Sequence, residues 1–152
     1  MTELWNAGTP GLVTLPSGRR LRGRGLRHGL PEGQTPTFTV HLTDHEPPGP
    51  PWESVWVPWR DFWLPADPVD ALRRLRDAYE RAPAERVEVC CGGGVGRTGT
   101  ALSAICVFEG MDPKEAVRWV RRTYHSRAVE VPWQRRFVRQ AHAASTGGNG
   151  PA

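Results

Sequence analysis

No apolar run in this chain approaches the ~20 residues that a membrane-crossing helix needs. The first ten residues also lack the basic start and apolar core of a secretion signal. Neither membrane insertion nor export is expected, and the expected compartment is the cytoplasm. Only three cysteines occur among 152 residues. Cys90 and Cys91 are adjacent, Cys106 falls inside an apolar helix-forming segment, and no Cys-x2-Cys pair suggests zinc. That usage excludes a disulfide framework and fits a reducing compartment. Glycine and proline number 17 and 15, together below the ~25–30% that marks a disordered chain. They cluster in loops.

The length suits one domain with a core of its own, expected over residues 1–144, followed by a flexible tail at 145–152. The formal net charge is +4, with arginines concentrated at 19–27, 73–76 and 118–139. An anionic partner fits such a surplus. The basic residues mostly stand singly along helical faces and no nucleic-acid-binding module accompanies them, so solvated surfaces are expected and no nucleic-acid partner.

The chemistry concentrates at residues 87–100, Val-Glu-Val-Cys-Cys-Gly-Gly-Gly-Val-Gly-Arg-Thr-Gly-Thr. A β-branched run ends in cysteine, a glycine-rich turn follows, and Arg97 and Thr98 open an apolar helical segment. Gly92, Gly93, Gly94 and Gly96 allow the backbone to turn its N–H groups inward, with Val95 among them. Such a loop can ring a tetrahedral oxyanion. The start of the helix adds its positive dipole end, and Arg97 adds a planar fork of donors for two phosphate oxygens. The same field favours thiolate over thiol at Cys91. A charged sulfur in a phosphate cradle implies attack on phosphorus. A nucleotide-binding loop of the Gly-x4-Gly-Lys-Ser/Thr type would need glycine at Cys91 and lysine at Arg97. A merely structural turn gives no reason for Cys, Arg and Thr to fall at these spacings together.

The run from Cys91 through Arg97 and Thr98 resembles the signature of the cysteine-dependent protein tyrosine and dual-specificity phosphatases. Cys90 stands where that family usually has histidine. A second stretch resembles the family's acid loop, Trp-Pro-Asp with a proline further on: Trp59, Arg60, Asp61 and Pro65, with Arg60 in place of proline. Asp61 is therefore the expected general acid. The chemistry independently asks for one, because a departing phenolate or alkoxide needs a proton as its bond to phosphorus breaks. A loop aspartate that merely caps backbone amides is the plainer alternative. A third stretch, residues 127–134, resembles the glutamine loop. Gln134 matches its second glutamine and Glu130 occupies the position of the first, so the resemblance implies a water-positioning role for Gln134, against that of a glutamine near a helix cap.

Around these stretches the chain reads as strands and helices in alternation. Residues 12–15 and 19–26 form a hairpin about Pro16-Ser17-Gly18, with Arg19, Arg22, Arg24 and Arg27 on its outer face. Residues 37–43 give a strand with Phe38, Val40 and Leu42 on one side, 44–51 a proline-rich loop, and 54–57 a short strand. His41 and His45 read as surface histidines, since four-residue spacing does not converge outside a helix. Asp67-Pro68 opens a helix with Val69, Leu72, Leu75 and Tyr79 inward. Residues 98–109 form a buried helix stopped by Gly110. Asp112 caps the next, with Ala116, Val117, Val120 and Tyr124 inward and Arg118, Arg121 and Arg122 outward. A last helix starts near Pro132 with Trp133, Phe137, Val138 and Ala141 on its apolar side.

The expected fold is α/β: a central, mostly parallel sheet flanked by helices on both faces, with the phosphate-binding loop between a central strand and a helix. The resemblance covers roughly residues 40–138 and implies the same fold. It implies a phosphomonoester hydrolase in which Cys91 attacks phosphorus, Gly92, Gly93, Gly94, Val95, Gly96 and Arg97 hold the equatorial oxygens, Asp61 protonates the leaving group, and Thr98 assists departure of the sulfur. No metal or cofactor is expected, because arginine and backbone dipoles supply the positive field. Phosphotyrosine proteins, with phosphoserine and phosphothreonine as further candidates, are the expected partners of a monomer. Trp52, Trp56, Trp59 and Trp63 either wall a pocket for an aromatic ring or belong to the core. Two rivals remain: a catalytically inactive module that only recognises phosphate, for which Asp61 has no use, and a sulfurtransferase, which needs neither Asp61 nor Thr98.

Overall fold

The computed structural model describes residues 2–147. In chain order the elements are β1 (Leu12–Thr14), β2 (Arg20–Gly25), a 3-10 turn (Leu26–His28), β3 (Phe38–Thr43), β4 (Glu53–Pro58), α1 (Pro68–Arg81), β5 (Val87–Cys91), α2 (Gly96–Phe108), α3 (Pro113–Thr123) and α4 (Pro132–Gly147). Residues 145–147, expected to open a tail, continue α4. The rest of that expected tail lies outside the described residues.

The five strands form one sheet in the order β1-β2-β5-β3-β4. β1 runs antiparallel to β2, as a hairpin must, and every other pairing is parallel. Strand period then assigns the faces. Val87 pairs with Leu21 on one side and Phe38 on the other, and Val40 pairs with both Val89 and Val55. These apolar side chains share one face and one core cluster, together with the buried residues of all four helices. The helical layer therefore gathers on that face, where helices on both faces had been expected.

Helix ends follow their sequence signals. Asp67 accepts a hydrogen bond from Asp70 N at 3.1 Å, with Pro68 in the first turn, and Asp112 caps α3 through Lys114 N at 3.1 Å. Gly110, at φ +111°, follows α2. Val69 departs from expectation and is 79% exposed. The buried stripe of α1 is Ala71, Leu75, Ala78 and Tyr79. A residue two before Ala71 is turned to the far side of a 3.6-residue helix.

The other face of the sheet is polar and still buried. Glu88, on the central strand, accepts from Arg22 Nε at 2.8 Å, Arg24 Nε at 2.8 Å, Arg24 Nη2 at 2.9 Å and the Thr39 hydroxyl at 3.3 Å. Trp5 lids this network: its indole donates to Val87 O at 3.0 Å, and the Arg22 guanidinium lies 4.4 Å from its ring centroid. Arg22 and Arg24 are thus interior residues and do not form a solvated outer face. The cause is that β2 lies between two strands with the N-terminal segment folded across it. His41 shares this face and is also buried, which corrects its reading as a surface histidine; burial holds its imidazole below the ordinary value. Glu88→Ala should lower unfolding free energy by about 3–5 kcal/mol, because it strands two guanidinium groups away from water. Denaturant titration checks this, and a loss below about 1 kcal/mol would show that the network carries little.

Candidate active site

β5 ends at Cys91 and α2 starts at Gly96, so the glycine-rich turn bridges the carboxyl end of a central strand and the amino end of a buried helix. Cys91 Sγ accepts hydrogen bonds from Gly94 N at 3.2 Å and from the Thr98 hydroxyl at 3.1 Å. Both donors converge on the one sulfur. Gly94 sits at φ +73°, and a β carbon there would meet Gly25 N at 2.4 Å. Glycine is required at this position for both reasons. The loop is braced from outside as well: Tyr124 donates its hydroxyl to Gly94 O at 2.6 Å, and Arg27 N donates to Gly92 O at 3.0 Å. Burial pushes the Tyr124 phenol above its ordinary value, so it stays a donor.

Arg97 is buried and reaches towards the acid loop. Its Nη1 donates to Trp59 O at 3.0 Å, and its Nε lies 3.6 Å from Asp61 Oδ1. The Nε itself has no hydrogen-bond partner among the described residues. Asp61 keeps 44% of its side chain exposed and accepts from Phe62 N at 3.1 Å. The next residue, Phe62, adopts φ +59°, which is uncommon for a bulky side chain. Its carbonyl is latched by the Trp133 indole at 2.6 Å, and the Trp63 and Trp133 rings meet edge to face at 5.5 Å. Trp133, expected inward, is therefore turned out to hold the acid loop. Trp59 is fully buried against Phe137 at 5.1 Å, as its core reading requires. Trp52 and Trp56 serve the sheet through Thr39 and Thr43 O, so the four tryptophans do not wall one pocket.

A cavity of about 140 Å³ joins Cys91 to Asp61, Arg97 and Arg27, with Gly93, Val95 and Gly96 in its wall. Gly92 and Gly94 brace the loop without lining this cavity. Glu130 does line it. A β carbon at Gly96 would meet Glu130 Oε1 at 1.9 Å, so the acidic side chain crosses the start of α2 where only glycine leaves room. Gln134 is fully buried and accepts Glu130 N through its Oε1 at 2.8 Å; its Nε2 has no partner among the described residues. Arg121, expected to face outward, donates to Ala128 O at 2.8 Å and Val129 O at 2.7 Å. Val129 there holds φ +61°. The sequence drew attention to position 130 only through its departure from glutamine, and gave no sign of Arg121 or Tyr124.

The neighbouring thiols differ in kind. Burial, helped by Glu88, pushes Cys90 well above the ordinary thiol value, and burial with the Glu109 charge pushes Cys106 up to about 12. Neither opens onto the cavity. Brief iodoacetamide treatment at pH 7 should label Cys91 at least tenfold faster than Cys90 or Cys106. Peptide mass mapping reads this directly, and equal labelling would mean that the cavity does not single out one sulfur. Among the described residues no cluster of three or more metal-ligating side chains occurs, and no helix is long and apolar enough to cross a membrane.

Comparison with known proteins gives the family and the fold. Residues 52–148 match the family described as PTP-SAK, the Swiss Army Knife protein DSP-PTPase phosphatase domain. The uncharacterized protein MJ0215 of Methanocaldococcus jannaschii is 33% identical over 87 residues, covering 56% of this chain and 52% of that one. An Arabidopsis thaliana protein, phosphatidylinositol 3,4,5-trisphosphate 3-phosphatase and protein-tyrosine-phosphatase PTEN1, is 43% identical over 53 residues, 34% of this chain and 13% of its own. The chain thus spans about half the length of one curated relative and a small part of the other. The crystal structure of Tk-PTP in its active form superposes with a TM-score of 0.68 at 24% identity, covering 89% of this chain and 98% of that one, which shows a common fold. A cysteine at a strand end, a glycine loop, an Arg-Thr helix start and a matched domain together place this chain in the dual-specificity and tyrosine phosphatase (DSP-PTPase) domain family.

Proposed function

We propose that the chain hydrolyses phosphomonoesters of phosphorylated proteins through a cysteinyl-phosphate intermediate. The observation that carries this reading is the convergence on one sulfur of the Gly94 amide and the Thr98 hydroxyl, with Arg97 and Asp61 3.6 Å apart in the same cavity. In the first step Cys91 Sγ forms a bond to phosphorus while the bond to the ester oxygen breaks, and Asp61 gives its proton to that oxygen. Loop amides and the Arg97 guanidinium hold the equatorial oxygens as their charge grows. In the second step water attacks phosphorus, Asp61 takes its proton, and the sulfur departs as a thiolate that Thr98 stabilises.

Gln134 contributes by fixing the backbone of Glu130, whose carboxylate is then the group available to orient attacking water. The cavity is small beside the ~300–1,000 Å³ of ordinary ligand sites. So small a cavity holds little beyond the phosphate group, which supports acceptance of phosphoserine and phosphothreonine as well as phosphotyrosine. The test is release of inorganic phosphate from an aryl phosphate over many turnovers, with acid quenching to trap phosphate on Cys91. Stoichiometric binding without release would favour a phosphate-recognition module instead. A monomeric protein working in the cytoplasm completes the proposal.

A further inference from the structure

Five arginines stand on or beside the hairpin, and four have partners. Arg19 donates to Tyr79 and faces Glu109, Arg20 donates to Trp5 O, and Arg22 and Arg24 share Glu88. Arg27 is different. Its backbone is pinned to the phosphate loop through Gly92 O, yet among the described residues its guanidinium has neither hydrogen bond nor ion pair. It lies exposed at the rim of the cavity that contains Cys91 and Arg97. A β carbon at Gly92 would be 3.3 Å from Arg97 Nη2 and 3.4 Å from Arg27 Nη2, so those two nitrogens are no further apart than the sum of those distances. A β carbon at Gly93 would stand in ordinary contact with the same guanidinium, 3.6 Å from its Nη1.

Two guanidinium groups this close, one buried in the wall of the cavity that holds the sulfur and the other open at its rim, suit two anions on one ligand. We propose that Arg27 is a specificity-determining residue that reads a second negative charge beside the scissile phosphate: a carboxylate or phosphate two positions along an extended phosphopeptide. Side chains two apart on an extended chain point the same way and stand about 6.6–7 Å apart. Those two nitrogens lie within that span, so an anion two positions from the scissile phosphate comes within reach of Arg27. An unpaired arginine also loses no existing contact when it takes up an anion, and it binds carboxylate or phosphate through two parallel hydrogen bonds. The inference rests on the proposed function for the identity of the peptide, but it concerns binding and not turnover.

The test therefore uses full-length protein carrying Cys91→Ser, which should bind substrate without consuming it. Two phosphotyrosine peptides that differ only in Glu or Ala two residues from the phosphotyrosine are titrated by calorimetry at low salt. The Glu peptide should bind about tenfold tighter. Adding Arg27→Ala should reduce that ratio to below about twofold, Arg27→Lys should keep part of it, and raising the ionic strength should shrink it in the Arg27 protein only. Equal binding of the two peptides with Arg27 present, or an undiminished ratio without it, would overturn the proposal. So would a soluble inositol bisphosphate that bound tighter than the Glu peptide with the same dependence on Arg27, which would assign the second anion to a small polyphosphate. Failure of the intact chain to release phosphate would count against the catalytic reading and leave these ratios to decide the role of Arg27.

Discussion

Cys91→Ser is expected to reduce turnover of any phosphomonoester by about 10⁴-fold or more, while leaving the protein folded and able to bind phosphate. The size of the loss follows from the role of the atom replaced: a hydroxyl is far harder to ionise than a thiol, and removing the group that forms the covalent bond removes both chemical steps together. The retained fold follows from the surroundings. Gly94 N and the Thr98 hydroxyl remain as donors to the new oxygen, and the cradle is braced through Tyr124, Arg27 and Gly25, none of which touches the substituted atom. Steady-state release of phosphate from an aryl phosphate measures the first half, and calorimetry with inorganic phosphate or vanadate the second. Parental turnover in the serine variant would refute the assignment of the nucleophile. A parent protein that binds phosphate but never releases it from an ester would instead make the cradle a recognition device.

Much of this site was legible because its information is local. The five residues of β5, the glycines after them and the Arg-Thr that opens α2 are contiguous, and each enforces its own geometry: buried strand, tight turn, helix start. The caps at Asp67 and Asp112 are equally local. Asp61 was found by a frame of neighbours rather than by its distant partner Arg97, which the fold brings to 3.6 Å. What escaped depends on partners far along the chain. Arg22 and Arg24 alternate with apolar residues as any half-solvated strand does, and nothing nearby shows that Glu88, 66 and 64 residues on, will draw them inward. Trp133 fits an apolar helical stripe until its indole finds Phe62 O, 71 residues away. The resemblance implies a water-positioning role for Gln134, and the fold arranges the pair differently: the glutamine is buried and supports the backbone from inside while Glu130 faces the cavity. Arg27 reads like its neighbours in sequence and differs in that its guanidinium makes neither hydrogen bond nor ion pair among the described residues.

The second large effect concerns Asp61 and depends on which bond is being broken. Asp61→Asn should slow hydrolysis of phosphotyrosine and of alkyl phosphates by about 10²–10⁴-fold, the range for loss of a positioned acid, because phenols with pKa ~10 and alcohols are poor leaving groups without a proton. An aryl phosphate whose phenol is strongly acidic leaves unaided, and its rate should fall by much less. Asparagine keeps the size of the side chain and an oxygen that can still accept from Phe62 N, so the loop should remain under the Trp133 latch and the comparison isolates the proton. A plot of log rate against leaving-group pKa is the measurement: shallow in the parent, steep in the variant. Equal slowing of good and poor leaving groups would mean that Asp61 acts through Arg97, whose Nε has no hydrogen-bond partner among the described residues, by orienting the guanidinium over the phosphate. The two roles separate cleanly, since an orienting carboxylate affects every substrate alike whereas a proton donor matters in proportion to how badly the leaving oxygen needs the proton.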